Sequence, residues 1–493
     1  MNKFIAYRDI LKCLICHDAP CSKACPYNMD PAKILRSLRF SNYEGALQRV
    51  GEHCLNCSAP CEKNCVLGSD LKIKDILINC YKKKEELGLN FKKADISSDI
   101  CGIKIENPYL LSSSVVASSY DMCKRAFEAG WAGASFKTIC MMDIHEASPR
   151  FSALKGLDGT ITAFKNIEQL SDHSVIENLE IFKRLKTEFP NKFLLVSIMG
   201  RDEDEWAYLA KESEKAGADA LELNFSCPNM TKDGTGSDVG QIPELVEKYT
   251  RAVTSVVKIP VIAKLTPNVV AMSPAGIAAK KGGAKGIAAI NTIKSITELN
   301  MVEKVYSCKK VDKFSVGGLS GQAVKPIALR FIAELAQNEE LKDMHISAMG
   351  GIYNYEDALM FLSLGAGSVQ ITTAVMEYGY RIIEDLVEGL QFFVSACGFN
   401  SLKEMLGKNV NNVVDVNEIE RDVVVYPKFD RSKCLHCGRC YISCRDGGHQ
   451  AIELDENRNP ILNTKKCVGC HLCTIVCPNQ TISASDVKVK KTK

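Results

Sequence analysis

Eight cysteines near the end of the chain fall into two runs with the same spacing. Cys434, Cys437, Cys440 and Cys444 read C-x2-C-x2-C-x3-C, and Cys467, Cys470, Cys473 and Cys477 repeat it, with Pro478 after the last. Three thiolates so spaced wrap one face of a 4Fe-4S cubane, and the fourth cysteine of each run ligates the other cluster. The expected ligand sets are Cys434, Cys437, Cys440 and Cys477 for one cluster, and Cys444, Cys467, Cys470 and Cys473 for the other. Arg445 stands where the first run would usually carry proline, which weakens the turn and not the ligation. Zinc, also held by Cys-x2-Cys pairs, needs four ligands per ion and gives no reason for a third cysteine at the same interval. The chemistry this points to is one-electron transfer.

A second cysteine-rich stretch opens the chain. Cys13, Cys16, Cys21 and Cys25 follow C-x2-C-x4-C-x3-C-P, and Cys54, Cys57, Cys61 and Cys65 follow C-x2-C-x3-C-x3-C. Asp30 and Pro31 supply an N-cap and first-turn proline for a helix through Arg39, and residues 42–50 read as a second helix. Eight cysteines on a small helical frame suit two further cubanes, with zinc or a mixed pair left open. With exchanged ligands, Cys13, Cys16, Cys21 and Cys65 hold one cluster and Cys25, Cys54, Cys57 and Cys61 the other; Cys80 is a spare able to replace one of them.

These sixteen belong to a total of 23 cysteines in 493 residues. The N-terminal residues lack the apolar stretch of a secretory signal and no apolar run reaches about 18 residues, so a reduced, cytoplasmic setting without membrane spans is expected, and metal binding or catalysis explains the cysteines better than disulfides. A formal charge of +3 gives no reason to expect nucleic acid or an anionic membrane as a partner. Cys80, Cys101, Cys123, Cys140, Cys308 and Cys397 carry no assignment beyond ordinary burial, and the lysine- and glutamate-rich residues 82–93 read as a solvated linker or helix end.

Between the ends, short apolar strands alternate with amphipathic helical stretches. Eight strands are expected to end near Ser113, Lys137, Met199, Asn224, Lys264, Asn291, Met349 and Thr372, with an insertion between the sixth and seventh, which matches a (β/α)8 barrel. No GxGxxG turn supports a doubly wound sheet. In such barrels the chemistry sits where strands end, and there Lys137-Thr138, Asn224-Phe225-Ser226-Cys227, Lys264 and Asn291-Thr292 break the apolar pattern. Gly350-Gly351 and Thr372-Thr373 follow the last two strands, where backbone amides build phosphate sites. A phosphorylated cofactor that joins one-electron to hydride chemistry is flavin mononucleotide, FMN.

At these residues the chain resembles the dihydropyrimidine dehydrogenase family and, more distantly, dihydroorotate dehydrogenase. The resemblance rests on Glu-Leu-Asn-Phe-Ser-Cys-Pro-Asn at 222–229, Ala-Lys-Leu-Thr-Pro-Asn at 263–268, Ala-Ile-Asn-Thr at 289–292, Gly-Gly-Leu-Ser-Gly at 317–321 and Ala-Val-Lys-Pro-Ile-Ala-Leu-Arg at 323–330. Cys-Tyr-Ile-Ser-Cys at 440–444 with Gly-Gly-His-Gln-Ala at 447–451, and Cys-His-Asp-Ala-Pro-Cys at 16–21 with Cys25-Pro26, extend it to both ends. It implies a TIM barrel flanked by an N-terminal helical iron-sulfur domain and a C-terminal ferredoxin-like two-cluster domain, divided as 1–81, a linker 82–94, 95–415 and 416–493. Carried over, the FMN contacts are Ser113, Lys137, Thr138, Lys264, Gly321, Gly350, Gly351, Thr372 and Thr373. The pyrimidine contacts are Asn166, Glu168, Asn224, Ser226, Asn291 and Thr292, and Cys227 is the catalytic cysteine.

The resemblance implies reduction of uracil or thymine, with hydride delivered to C6 of the ring and Cys227 protonating C5 from the opposite face. A free thiol with a pKa of about 8.5 is mostly protonated near neutral pH and can serve as an acid. Asparagines offer both donor and acceptor to a ring that presents carbonyls and N-H groups, and Lys137 and Lys264 would offset charge on the reduced cofactor. Residues 229–240, with glycines at 234, 236 and 240, read as a mobile lid over Cys227. The single-chain family enzymes place FAD and NADPH domains between the N-terminal clusters and the barrel, whereas here a short linker stands there. A separate NAD(P)H-dependent flavoprotein subunit or a ferredoxin is therefore the expected donor, in a homo- or hetero-oligomer. Dihydroorotate oxidation and a non-catalytic electron-transfer subunit are the rival functions; Glu168 near the ring argues against orotate's extra carboxylate.

Overall fold

The computed structural model describes residues 7–89, 92–157, 159–230, 234–297 and 315–490. It divides into two units, 1–412 and 413–493. No helix among the described residues is long and apolar enough to cross a membrane.

The first unit is built on a closed barrel of eight parallel strands: β1 Tyr109–Leu111, β2 Gly133–Ile139, β3 Phe193–Ile198, β4 Ala220–Asn224, β5 Val261–Lys264, β6 Gly286–Ala289, β7 His345–Met349 and β8 Ser368–Ile371. Closure is made by β8 on β1, in the register Val369 to Tyr109 and Ile371 to Leu111. Each expected strand end lies within two residues of an observed one. Strands of alternating side chains give the barrel two buried faces. Ala220 joins Leu110, Phe193, Leu195, Ile262 and Ala288 in an inner core, while Leu221 and Leu223 face the outer helices. An antiparallel hairpin, Ser98–Ile100 with Ile103–Ile105, adds the buried Ile100 and Ile105 to that inner core and so plugs the end where the strands begin. The opposite end, where the strands finish, stays open for chemistry.

One element was not visible in the sequence. Besides the segment between β6 and β7, the stretch between β2 and β3 carries a hairpin, Phe151–Lys155 with Ile161–Asn166. It pairs with Gly317–Ser320, which pairs with Ile293–Ser295, making a four-stranded antiparallel sheet from two insertions far apart in the chain.

The N-terminal residues form short helices that belong to the same unit as the barrel. Helix Pro31–Arg39 starts at Asp30, whose side chain accepts from Lys33 N, and helix Tyr43–Arg49 starts at Asn42, whose side chain accepts from Gly45 N. The lysine-rich stretch from Lys82 onward begins inside helix Ile73–Leu87, which ends on the left-handed Gly88. The helices dock on Ile382–Ala396, the last helix of the barrel, through buried charge. Asp385 accepts from Arg36 Nε at 2.7 Å and Ser37 Oγ at 2.6 Å, and Glu388 accepts from Asn42 Nδ2 at 2.9 Å and Arg49 Nη1 at 2.7 Å.

The second unit pairs strand Val423–Phe429 with Ile482–Lys490 and strand Ile452–Leu454 with Pro460–Leu462, with helices Arg439–Gly447 and Leu472–Val476 between them. Its buried apolar residues are few among the described residues and include Ile452, Cys473 and Ile482. So small a core leaves much of the stability to whatever the cysteines bind. With no proline after Cys444 the first of these helices runs on to Gly447, whereas the second stops before Cys477-Pro478.

Candidate active site

At the open end of the barrel lies a cavity that opens to solvent. Its lining holds Ser113, Lys137, Thr138, Asn166, Glu168, Asn224, Cys227, Lys264, Asn291, Thr292, Gly321, Gly350, Gly351, Thr372 and Thr373. The strands explain this convergence: residues from the ends of β2, β4, β5, β6, β7 and β8 meet above the inner core.

Ser226 does not line the cavity. It is fully buried behind it, donating to Asn224 Oδ1 at 2.9 Å and accepting from Asn291 Nδ2 at 2.9 Å. Asn224 Nδ2 also donates to Thr138 Oγ1 at 2.9 Å, and Asn291 Oδ1 accepts from Thr292 N at 2.7 Å. An amide has two donors and an acceptor with two lone pairs, so each asparagine is oriented by the protein and keeps an N-H for a ligand.

The charged lining residues are Lys137, Lys264 and Glu168, and each cation already has a carboxylate. Lys137 Nζ lies 2.9 Å from Glu168, which also takes Arg150 at 2.9 Å, with Glu146 3.7 Å from Lys137. Lys264 Nζ lies 3.2 Å from Glu222 inside the barrel. Glu146 and Arg150, with Phe151, Phe164 and Leu319 of the added sheet, escaped the sequence reading. Phe-Ser-Ala-Leu-Lys at 151–155 and Ile-Thr-Ala-Phe-Lys-Asn at 161–166 carry no sustained alternation that would have marked them as strands.

Cys227 is buried at 6% exposure, and burial pushes its thiol up to about 11. The Asn229 backbone N-H, Lys264 and Lys137 pull the other way, and Glu146 adds to the rise. The group is a protonated thiol across the neutral range. Reaction with iodoacetamide at pH 8, followed by peptide mass mapping, should therefore modify Cys227 at least about 100-fold more slowly than a free cysteine, whose pKa is about 8.5. Labelling at the free-cysteine rate would mean that no such shift exists.

The glycines after Cys227 serve packing. A Cβ at Gly236 would sit 2.4 Å from Cys227 O, and one at Gly240 would sit 2.0 Å from Phe225 O, because helix Ser237–Gly240 lies directly on that backbone. Asn229 Nδ2 donates to Glu168 O at 2.9 Å. Residues 231–233 of the expected lid lie outside the described residues.

Three of the four expected cysteine sets each line a common pocket. One pocket is lined by Cys434, Cys437, Cys440 and Cys477, a second by Cys444, Cys467, Cys470 and Cys473, and a third by Cys13, Cys16, Cys21 and Cys65. Cys54 and Cys61 are close enough for charge coupling with Cys57, and Cys54 also with Cys25. Left-handed residues between the cysteines turn the chain back on itself: His436, Gly438, Gly469 and His471 in one unit, Ile15, Ala19 and Ala59 in the other. The short helices Pro20–Lys23 and Pro60–Lys63 share the sequence Ala-Pro-Cys-x-Lys-x-Cys, a repeat that the cysteine spacing alone obscures. Thiolate acceptors are supplied with backbone donors, Ala451 N to Cys444 Sγ at 3.3 Å and Thr481 N to Cys477 Sγ at 3.4 Å. Cys80 is fully buried in its helix beside Cys54, Cys123 and Cys140 are buried, Cys101 is half-buried, and Cys397 is exposed, contrary to expectation. Cys308 lies outside the described residues.

Residues 96–394, the barrel with its insertions, match the dihydroorotate dehydrogenase family. The chain belongs to that family. Residues 428–484 match the 4Fe-4S dicluster domain. The chain is 50% identical over 398 residues to the NAD-dependent dihydropyrimidine dehydrogenase subunit PreA of Escherichia coli (strain K12), covering 80% of this chain and 97% of that one. It is 34% identical to the chloroplastic dihydropyrimidine dehydrogenase (NADP(+)) of Arabidopsis thaliana, over 64% of this chain and 77% of that one. It is 37% identical to the catalytic subunit of dihydroorotate dehydrogenase B (NAD(+)) of Pyrococcus furiosus, over 63% of this chain and 98% of that one. As a family member it is an oxidoreductase acting on CH-CH bonds.

Proposed function

We propose that this chain reduces uracil or thymine to the 5,6-dihydropyrimidine, using FMN in the barrel cavity and electrons that reach it through 4Fe-4S clusters from a separate donor. The observation that carries this reading is the joint presence of oriented asparagines, paired lysines and a protonated buried thiol in one cavity.

The cavity suits FMN. Gly350 and Gly351 have φ of 128° and 77°, and a Cβ on either would come within 2.8 Å of a neighbouring side chain, so bare backbone forms that wall beside Thr372 and Thr373. Gln370 Oε1 is buried without a partner among the described residues, an acceptor left for a ligand N-H. FMN, when bound, supplies hydride transfer and accepts electrons singly.

The chain's own residues do the rest. Asn224, Asn291 and Asn166 read the carbonyls and N-H groups of the ring, and a ring lacking those groups would leave buried amides unpaired. Cys227 holds the proton destined for C5. Lys137 and Lys264 orient on the cofactor. An orotate carboxylate would need a free cation, whereas both lining lysines are already paired with Glu168 and Glu222, so the site favours the uncharged ring. The four cysteine sets would each hold one cluster, passing single electrons. The Escherichia coli relative is named as a subunit of an NAD-dependent enzyme, which supports a separate donor.

The test is anaerobic. Chemically reduced protein is mixed with uracil, thymine or orotate, and the flavin absorbance is followed. Uracil or thymine should reoxidise the flavin and orotate should not; reoxidation by orotate alone would replace this reading with the dihydroorotate one.

A further inference from the structure

One buried carboxylate beneath the cavity takes no part in the chemistry above. Glu222 sits in β4 with no exposed surface, on the inward face with Ala220 and Asn224. A carboxylate inside a barrel demands compensation. Its Oε1 lies 3.2 Å from Lys264 Nζ, and its Oε2 accepts from Gln370 Nε2 at 3.1 Å. Gln370 Nε2 also donates to Ser347 Oγ at 3.1 Å, and Ser347 is held in turn by Ser368 at 2.9 Å. The other polar contact of Lys264 is the neutral Ser112 hydroxyl at 3.4 Å.

Two consequences follow from this geometry. An ionised carboxylate only accepts, so it obliges Gln370 to turn its nitrogen inward, which is what leaves Gln370 Oε1 unpartnered at the cavity wall. The same charge offsets the Lys264 ammonium, whose side chain is 3% exposed and lines the cavity.

We propose that Glu222 is a positioning residue for the cofactor: it fixes the Lys264 ammonium and the Gln370 amide from below, and its charge limits the positive potential that Lys264 presents to bound FMN. The inference rests on the FMN reading. It assigns to the barrel interior a control over the reduction potential of the flavin that the cavity lining alone does not reveal.

The test uses the full chain with FMN bound and four forms: native, Glu222→Gln, Lys264→Met and the double variant. Each is equilibrated anaerobically with a reference dye, and the reduced-to-oxidised ratio of the flavin is read at one ambient potential. Glu222→Gln leaves Lys264 unopposed and should raise that ratio on the order of ten-fold. In the Lys264→Met background there is no ammonium for the carboxylate to offset, so Glu222→Gln should change the ratio less than about two-fold. An unchanged ratio in the single variant, or equal shifts with and without Lys264, overturns the proposal. If Glu222→Gln fails to fold, the double variant, with neither charge, should fold and bind FMN; its failure where Lys264→Met succeeds also overturns it. Absence of FMN from the native chain would instead refute the cofactor reading.

Discussion

Cys227→Ala should lower turnover with uracil or thymine by about 10²–10⁴-fold, the range expected for removal of a general acid, while FMN content and flavin spectrum stay native. The thiol is buried, held up to about 11, and placed in the cavity by the Asn224–Cys227 segment that leaves β4. Alanine removes the proton donor and little else, because the loop is held by backbone contacts such as Ser237 N to Cys227 O at 2.9 Å. The asparagine contacts to Ser226 and Thr138 do not involve the thiol, so substrate affinity should change far less than turnover. Rapid anaerobic mixing of the reduced variant with substrate measures the step directly. Native-rate flavin reoxidation in the alanine variant would remove Cys227 from proton transfer. Cys227→Ser serves as a second form: its hydroxyl is a much weaker acid than a thiol, so it should remain slow while preserving shape.

The barrel was legible because parallel strands covered on both faces read as short apolar runs, and because polar residues at their ends have no place in such a core. That logic located Lys137, Asn224, Lys264 and Asn291 together. The contact that the resemblance carried over to Ser226 lies behind the cavity, where its hydroxyl orients Asn224 and Asn291, because a strand end does not say which side chain faces the cavity. The same logic passed over Glu222 and Gln370. In Ala-Leu-Glu-Leu-Asn the alternation looks like one wet and one dry face, and only closure of the barrel turns the wet face inward. The added sheet was hidden for a different reason: its central strands, Ile161–Asn166 and Gly317–Ser320, lie on either side of four barrel strands. The C-terminal dicluster domain was readable from the spacing of its two cysteine runs, because a cubane constrains ligands that lie near one another in the chain.

Docking of the N-terminal helices was beyond sequence reasoning, because the partners of Lys33 and Arg36 lie some 350 residues away in the chain. The structure makes a firm prediction from them. Asp385→Ala should destabilise the first unit by about 3–5 kcal/mol, the cost of leaving buried partners of a charge unpaired. Asp385 has no exposed side-chain surface and accepts from Arg36, Ser37, Lys33 and Asn42. Arg36 is itself 8% exposed, so it cannot recover its loss by turning to water, although Glu384 at 2.5 Å retains part of its charge pairing. Exposed pairs such as Lys12 with Asp9 are worth at most about 1 kcal/mol, and Asp9→Ala is the matching control. Denaturant unfolding reports the total, and hydrogen exchange in helix Pro31–Arg39 reports whether the loss falls at the junction. A stability within about 1 kcal/mol of native for Asp385→Ala would mean that apolar contacts such as Phe40 on Tyr378, not the buried charges, hold the helices to the barrel. Replacing Arg36 and Asp385 together by apolar residues of similar volume separates the two cases: if the charges serve mainly to satisfy each other, that pair should recover most of the loss.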